Sequence, residues 1–294
     1  MDRQARVVAV YNPSAGAVGP DGENRLRQAL AELNLTDVTI SAFDRYDPGG
    51  QFAGIISEEP DLIIVWGGDG THRRALIELG PDRHVLLLPG GTANLLCRWL
   101  HGDLPWRDTL RTVLTAPLPR SVPAGLAGDA PFFCAMVTGA PAYLADMRES
   151  LRRWDLGQAL SRLASALAPG RDLHVRLYGD HQRREADGLL RRANVIGARV
   201  GPLSRSGGME AIFLSLPTAL ATLTHTWEAF RSGWRRMSGA QVLAVSSMEL
   251  RSETVGGVLA VLDGEVLPLP ATFDIIYRPH AASCLVALSG HGHG

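Results

Sequence analysis

The chain has 294 residues, of which 46% are hydrophobic, and its 29 basic and 30 acidic residues leave a formal net charge of -1. At about 150 residues per domain this length predicts two domains, with a single large domain as the alternative, and the hydrophobic fraction excludes extended disorder. The balanced charge argues against an obligate nucleic-acid binder. Every basic residue is an arginine, because the sequence contains no lysine. Mechanisms that need a lysine, such as Walker A phosphate binding or a pyridoxal-phosphate Schiff base, are therefore excluded.

The first third of the chain alternates short apolar runs with segments of helical periodicity. Strands are predicted at 6–11, 38–43, 61–66 and 84–88, and helices at 22–33, 51–57, 71–79 and 93–100. Two of the strands are continuous apolar runs, which is typical of strands buried on both faces. This alternation predicts an α/β domain, a parallel sheet with helices on both faces.

A proline-rich segment after a predicted helix at 106–114 marks the expected domain boundary. We place the first domain at 1–118 and a β-rich domain at 119–294, with the option that the last strand returns to the first domain. Strand-like runs follow at 131–137, 172–178, 194–200, 211–216, 241–250, 258–262, 272–277 and 284–288. Their spacing predicts an antiparallel sandwich or barrel, of which we expect the sandwich. Two helices are predicted within it, at 143–167 and 219–234, and the first either rests on anionic lipid or covers the sandwich.

The cysteines and the apolar runs bear on the cellular location. Cys97, Cys134 and Cys284 lie far apart and form no CxxC pair. They predict neither a disulfide framework nor a zinc site and fit a reducing cytoplasm. The amino-terminal apolar stretch is too short for a signal peptide, and no run reaches the roughly 18 apolar residues of a membrane span. We expect a cytoplasmic protein that meets a membrane only at its surface.

Three loops in the first domain share a glycine-rich, polar composition. They are the first loop at 12–16 (NPSAG), the second at 67–71 (GGDGT) and the third at 89–94 (PGGTAN). Each follows a strand and leads into a helix, so the parallel sheet presents all of them at one edge. Glycines let the backbone approach a ligand closely, and helix amino termini favour phosphate.

The side chains and glycines of these loops predict a polyphosphate cradle built without lysine. The expected nucleotide contacts are Asn12, Ser14, Gly16, Gly67, Gly68, Gly70, Thr71, Gly91, Thr92 and Asn94. A single loop of this kind is also typical of a helix cap or a tight turn, and Thr92 is a competent cap without any ligand. The occurrence of three such loops on consecutive units favours nucleotide binding. The lack of GxGxxG after the first strand disfavours a dinucleotide dehydrogenase.

In order and spacing, NPSAG, GGDGT and PGGTAN resemble the signature segments of the diacylglycerol kinase catalytic-domain family. That family includes bacterial lipid kinases and the sphingosine and ceramide kinases, and NAD kinases share the fold of its first domain. The sequence LDGE at 262–265 resembles the family's late DGE motif. The resemblance implies a nucleotide-binding domain followed by a β-rich domain, with the active site in the cleft between them.

The resemblance also implies a reaction. The γ-phosphoryl group of ATP would pass to a lipid hydroxyl, of diacylglycerol or a sphingoid-type lipid, with ATP and Mg²⁺ as cofactors. Asp69 would organise Mg²⁺ and the phosphates, and Glu265 would be the general base. A solvated hairpin residue is the alternative for Glu265. The expected partners are a lipid substrate and the inner face of the membrane, with no nucleic acid.

Three positions depart from the family pattern. Arg73 and Arg74 stand where the family usually carries an Asn-Glu pair, and Leu95 stands where an Asp is common. The segment 206–209 (SGGM) has no carboxylate where many bacterial members use an Asp-Gly in Mg²⁺ binding. The metal ligands therefore stay unassigned, and the two arginines either meet phosphate or lie on a helix surface. The alternatives are a catalytically impaired nucleotide- or lipid-binding homologue, or a kinase with a soluble acceptor like NAD kinases.

Overall fold

The computed structural model describes residues 6–139, 142, 173–178, 189–193, 195–204, 207–214, 240–252 and 257–287. It divides into two compact units, unit one with residues 1–123 and 279–294 and unit two with residues 124–278. The helices predicted at 143–167 and 219–234 lie outside the described residues. Among the described helices, none is long and apolar enough to cross a membrane.

Unit one is built on a parallel sheet with the strand order β2-β1-β3-β4. Its strands are β1 (Val7–Tyr11), β2 (Val38–Ala42), β3 (Leu62–Gly67) and β4 (His84–Pro89). Its helices are α1 (Gly22–Ala31), α2 (Pro48–Ser57), α3 (Asp69–Leu79), α4 (Leu95–His101) and α5 (Trp106–Thr115). β1 pairs with β2 and β3, and β3 pairs with β4, all in parallel register. The predicted α/β domain is confirmed.

The strands β1, β3 and β4 of this sheet are buried on both faces, whereas the edge strand β2 is partly exposed. Every residue of β1 and β3 is buried, as their continuous apolar sequences predict. One face packs on α1 and α5, through residues such as Leu30 and Leu110. The side chains of each strand alternate between the two faces of the sheet. Buried residues of α3 and α4, such as Leu76 and Leu96, cover the other face. This sandwich of helices holds the carboxyl ends of the strands, and the loops that follow them, on one rigid edge.

The core of unit one contains a histidine that is fully buried in its neutral form. His72 of α3 is 0% exposed, and burial lowers its pKa to about 4. The ring Nε2 lies 3.1 Å from the carbonyl oxygen of Leu88. Since a carbonyl only accepts, Nε2 carries the proton, and Nδ1 is left to accept from the Cys97 thiol at 3.7 Å. Burial likewise lowers the pKa of His101 to about 4.

Unit one is therefore expected to lose stability in mild acid. Above pH 6.5 His72 is neutral in both the folded and the unfolded protein. Between pH 6.5 and about pH 4, the pKa of His72 in the folded protein, only the unfolded chain takes up the proton, so acid favours unfolding. The loss amounts to about 3 kcal/mol for this residue. His72→Gln donates to the same carbonyl without titrating, so its melting temperature should fall less between pH 7 and pH 5. An equal fall in wild type and variant would contradict this, and exposed His280→Gln is the control.

Unit two is a β-sandwich, as predicted. The strands after unit one's sheet are β5 (Pro117–Ala127), β6 (Ala130–Phe132), β7 (Ala135–Gly139), β8 (Leu173–Tyr178), β9 (Leu189–Ala193), β10 (Val195–Arg199), β11 (Met209–Leu214), β12 (Gln241–Val245), β13 (Ser247–Ser252), β14 (Val258–Leu262), β15 (Glu265–Leu269) and β16 (Thr272–Ala287). One antiparallel sheet has the order β12-β11-β10-β7-β14-β15. Strands β9, β8, β13 and the first half of β16 pair antiparallel in that order. The main core lies between these layers.

Several strand boundaries differ from the sequence prediction. The single run predicted at 241–250 is two strands, β12 and β13, which pair with different neighbours on either side of Ser246. The proline-rich segment at which the domain boundary was expected forms β5. The runs predicted at 272–277 and 284–288 form one strand, β16, which continues through Pro279. The carbonyl of Pro279 accepts from the Ser121 hydroxyl at 3.1 Å, a bond the strand pattern does not reveal.

A buried ion pair lies in the six-stranded sheet of unit two. Arg199 of β10 and Glu210 of β11 are direct cross-strand partners. The guanidinium Nε donates to Glu210 Oε2 at 2.6 Å. Both residues are buried, with Glu210 only 1% exposed. On the same face lies a small apolar cluster that includes Val195 and Ile212.

Candidate nucleotide site

Backbone hydrogen bonds join the three glycine-rich loops of unit one to one another. The N–H of Asn12 donates to the carbonyl of Trp66, directly before the second loop, at 2.9 Å. The N–H of Ala17, directly after the first loop, donates to the carbonyl of Gly90 in the third at 3.0 Å. The N–H of Gly90 donates to the carbonyl of Gly67 in the second at 2.7 Å. The loops therefore form one connected structure at the carboxyl edge of the sheet.

Two asparagines fix the shapes of the loops from within. Asn12 donates from Nδ2 to Thr71 Oγ1 at 2.8 Å, and its Oδ1 accepts from the Ser14 N–H at 2.9 Å. Asn94 accepts from the N–H of Gly91 at 2.8 Å and donates to its carbonyl at 2.7 Å. Asn94 has a φ of 49°, a left-handed conformation that asparagine tolerates better than most residues. Both amides thus organise the loops in addition to any contact with a ligand.

The glycines of the loops fall into two groups. A Cβ at Gly91 would lie 2.7 Å from the Cα of Gly68, so these residues let the second and third loops touch. A Cβ at Gly67 would collide with a side chain of the same loop. At Gly16 and Gly70 a Cβ would meet nothing within 4 Å. The last two positions therefore leave open space in front of the backbone, where a ligand can approach.

Asp69 lies between two helices. It is the first residue of α3, and its Oδ1 accepts from the N–H of Leu96 in the first turn of α4 at 3.4 Å. Burial raises the pKa of this carboxyl above its usual value, although the N–H groups at the start of α4 act in the opposite direction. The carboxylate thus occupies the amino terminus of α4. At this helix end the negative charge that the dipole favours is supplied by a side chain of the protein.

The open donors lie at the start of α3. Its first intrahelical bond runs from His72 N–H to the Gly68 carbonyl at 3.0 Å, so the N–H groups of Gly70 and Thr71 precede the hydrogen-bonded ladder. Thr92 does not cap α4, whose N-cap residue is Asn94. The exposed residues of the three loops among those predicted to bind nucleotide are Ser14, Gly16, Gly70 and Thr92.

The two arginines after the second loop have different environments. Arg74 lies 3.7 Å from Glu78 on the same helix and is half-buried, so it is a helix-surface residue. Arg73 is only 5% exposed. Arg73 therefore belongs to the interior of unit one, which the helix-surface alternative for this residue did not anticipate.

In unit two, the late DGE motif begins in a left-handed turn after β14. The carboxylate of Asp263 accepts from the N–H groups of Phe133 (2.6 Å), Cys134 (2.9 Å) and Ala135 (2.8 Å). It thereby holds a bend that divides the run predicted at 131–137 into β6 and β7. Glu265 follows as the first, exposed residue of β15. Asp263 is a structural acceptor whose role the motif alone did not reveal, because its partners lie about 130 residues earlier.

The described residues do not form a magnesium cage of protein ligands. Among them, no group of three or more histidine, cysteine, aspartate or glutamate side chains is arranged to hold a metal ion. The segment with Gly207 and Gly208 contributes no carboxylate, and Asp69 already accepts from backbone N–H groups. This donor set fits a Mg²⁺ that is coordinated mainly by phosphates, which is how this ion commonly binds.

Two aromatic residues that the loop motifs do not indicate support the loops. The Trp66 indole N–H donates to the carbonyl of Pro89, at the start of the third loop, at 3.2 Å. Its ring lies against that of Trp106, with centroids 4.1 Å apart. A tryptophan directly before a glycine-rich loop is the signal that could have indicated this role, because a buried indole needs an acceptor.

Comparisons with known proteins concern the domain that contains the three loops and the fold of the chain. Residues 6–119 match the family model of the diacylglycerol kinase catalytic domain. No curated protein sequence matches the chain. A diacylglycerol kinase structure from Bacillus anthracis str. Sterne is 16% identical, with a TM-score of 0.66, and the match covers 98% of this chain and 99% of that one. An NAD kinase from Archaeoglobus fulgidus in complex with ATP is 14% identical, with a TM-score of 0.53, and 95% and 92% are covered.

The similar structures show the fold, in which a unit with a parallel sheet is combined with a β-rich unit. Residues 6–119 match the diacylglycerol kinase catalytic domain, which confirms the resemblance seen in the three loops.

Proposed function

We propose that the protein is an ATP-dependent lipid kinase that transfers the γ-phosphoryl group to a hydroxyl of diacylglycerol or a sphingoid-type lipid. The observation that carries the proposal is the hydrogen-bonded connection of three glycine-rich loops around Asp69 and the amino terminus of α3. The domain that matches the family model contains all of these residues.

The loops bind the phosphates of the nucleotide. The N–H groups of Gly70 and Thr71 and the positive end of the α3 dipole favour negative charge, and the open space at Gly16 and Gly70 admits it. Ser14 and Thr92 add exposed hydroxyl donors. This arrangement does without a lysine, since backbone donors and helix dipoles stabilise the phosphate charge.

Two carboxylates divide the chemical work. When bound, ATP supplies the phosphoryl group and Mg²⁺ offsets its negative charge. Asp69 fixes negative charge beside the phosphate-facing N–H groups and would orient the ion. Glu265 accepts the proton of the lipid hydroxyl as the hydroxyl oxygen forms its bond to the γ-phosphorus and the bond from that phosphorus to the bridging oxygen breaks, so that ADP leaves. The proposed location is the cytoplasm, with contact to the inner face of the membrane.

The test is incubation of the purified chain with γ-labelled ATP, Mg²⁺ and vesicles that contain diacylglycerol or a sphingoid base, with NAD in a parallel reaction. Label in the lipid fraction is the expected result, and Glu265→Gln should lower the amount of that label without loss of ATP binding.

Mg²⁺ alone should leave the melting temperature of the protein unchanged, whereas Mg²⁺ with ATP should raise it, because a ligand that binds the folded protein stabilises it.

Each other outcome contradicts a specific part of the proposal. Label on NAD alone would indicate a soluble acceptor. ATP binding without transfer to any acceptor would indicate an impaired homologue. A tight Mg²⁺ site without nucleotide would show that protein ligands for the metal lie elsewhere in the chain. Failure to bind ATP under any metal condition would overturn the proposed kinase function.

A further inference from the structure

We propose that Arg25 is a positioning residue, which holds the first loop in the conformation that binds nucleotide. Arg25 lies on α1 and donates from Nη1 to the carbonyl of Val18 at 2.9 Å and to that of Ala17 at 3.2 Å. These carbonyls belong to the segment directly after the first loop. The inference rests on the proposed function for its effect on ATP, but the contact itself is independent of it.

Arg25 is also fixed in place by two aromatic rings. Its guanidinium carbon lies 5.0 Å from the centre of the Trp66 ring and 5.5 Å from that of Trp106. Cations are attracted to the faces of indole rings at such distances. Trp66 in turn accepts from the Asn12 N–H through its carbonyl and donates to the Pro89 carbonyl through its indole. Arg25 therefore links the segment after the first loop to Trp66, which directly precedes the second loop and donates to the third.

The segment that Arg25 holds is itself packed between α1 and the third loop. A Cβ at Gly90 would lie 2.6 Å from Val18 Cγ2, and a Cβ at Gly22 of α1 would lie 2.7 Å from Val18 Cγ1. The Ala17 N–H donates to the Gly90 carbonyl. Loss of the Arg25 guanidinium removes the donor to the carbonyls of Ala17 and Val18. The hydrogen bond from the Ala17 N–H to the Gly90 carbonyl is therefore expected to open more often.

The arginines of the neighbourhood provide matched controls. Arg27 lies on the same helix and pairs with Glu23 at 2.9 Å, with no contact to the loops. Arg107 lies 5.2 Å from the Trp106 ring centre and 3.7 Å from Glu32. Arg27→Met therefore tests the loss of a charge on α1, and Arg107→Met tests the loss of a stacked cation. Only Arg25 combines stacking with bonds to the carbonyls of Ala17 and Val18.

The decisive measurement is hydrogen exchange of the protein without nucleotide. In Arg25→Met, the Ala17 amide is expected to exchange about tenfold faster or more, because two charge-assisted bonds are lost. Arg25→Lys keeps the charge but offers no planar fork, so it should recover part of the protection. Arg27→Met and Arg107→Met should exchange like wild type at this amide. Wild-type exchange in Arg25→Met, or an equal increase in Arg107→Met, would overturn the inference.

The affinity for ATP with Mg²⁺ gives the functional result. Arg25→Met is expected to bind about tenfold more weakly, with Arg25→Lys between it and wild type. A merely structural arginine would lower the melting temperature without this graded change in affinity. If wild type itself binds no ATP, the proposed function fails, while the exchange of Ala17 still decides whether Arg25 holds the loop. If Arg25→Met does not fold, the comparison of Arg25→Lys with wild type decides both points.

Discussion

Asp69→Asn is expected to lower the rate of phosphoryl transfer by about 10²-fold or more while leaving the melting temperature at neutral pH unchanged or higher. The loss of rate follows because an amide has no fixed negative charge to orient the metal beside the phosphates. The retention of stability follows from burial, which raises the pKa of this carboxyl in the folded protein.

The sign of the stability effect distinguishes the roles of Asp69. A raised folded pKa means that the folded protein binds the proton more tightly than the unfolded chain, so the stability this group contributes falls as the pH rises through that pKa. At neutral pH the buried charge is a cost, which the neutral amide avoids while its oxygen still accepts from Leu96. Active sites commonly carry such costs.

Thermal unfolding and initial rates with labelled ATP check this result. Asp103→Asn, in an exposed pair with Arg98, is the control and should match wild type in both. Unchanged turnover in Asp69→Asn would mean that the residue only shapes the loop. A clear drop in melting temperature would mean that the carboxylate acts mainly as the cap of α4.

The parts of the fold that local sequence determines could be predicted. Strands β1, β3 and β4 of unit one are largely apolar runs, and a loop that contains glycine follows each of them. This pattern indicates both the buried strand and the loop at its end. The three loops therefore could be identified together with their shared edge. The predicted bounds of the helices were less accurate: α3 begins at Asp69 and not at Thr71, with Gly68 as its N-cap residue.

The contacts that join distant parts of the chain could not be predicted. Asp69 accepts from a residue 27 positions away, and Asp263 accepts from N–H groups about 130 positions away. Sequence patterns indicate which face of an element is apolar, but not which carboxylate meets which backbone donor. The role of Arg25 has the same origin, because only the folded chain brings α1 to the tryptophan before the second loop.

The ion pair of Arg199 and Glu210 in unit two is another contact that the sequence pattern did not predict, and its loss is expected to have a large effect on stability. Arg199→Leu is expected to destabilise unit two by about 3–5 kcal/mol, because it leaves the Glu210 carboxylate buried without its guanidinium. Replacement of both residues, Arg199→Leu with Glu210→Leu, removes both charges and should recover most of that loss. The face of the sheet that carries the pair is apolar at Val195 and Ile212, so it can accept two more leucines.

Hydrogen exchange of the amides in β10 and β11 measures this effect within unit two, since a chain of two units need not unfold in a single step. Arg251→Leu is the control, because the side chain of Arg251 is 68% exposed and lies 3.9 Å from Glu249. An exposed pair of this kind contributes about 0–1 kcal/mol. If the double variant loses as much stability as Arg199→Leu and Glu210→Leu lose in sum, the two residues do not stabilise the sheet as a pair. If Arg199→Leu exchanges like wild type, water or another group compensates the buried carboxylate, and the pair does not limit the stability of the sheet.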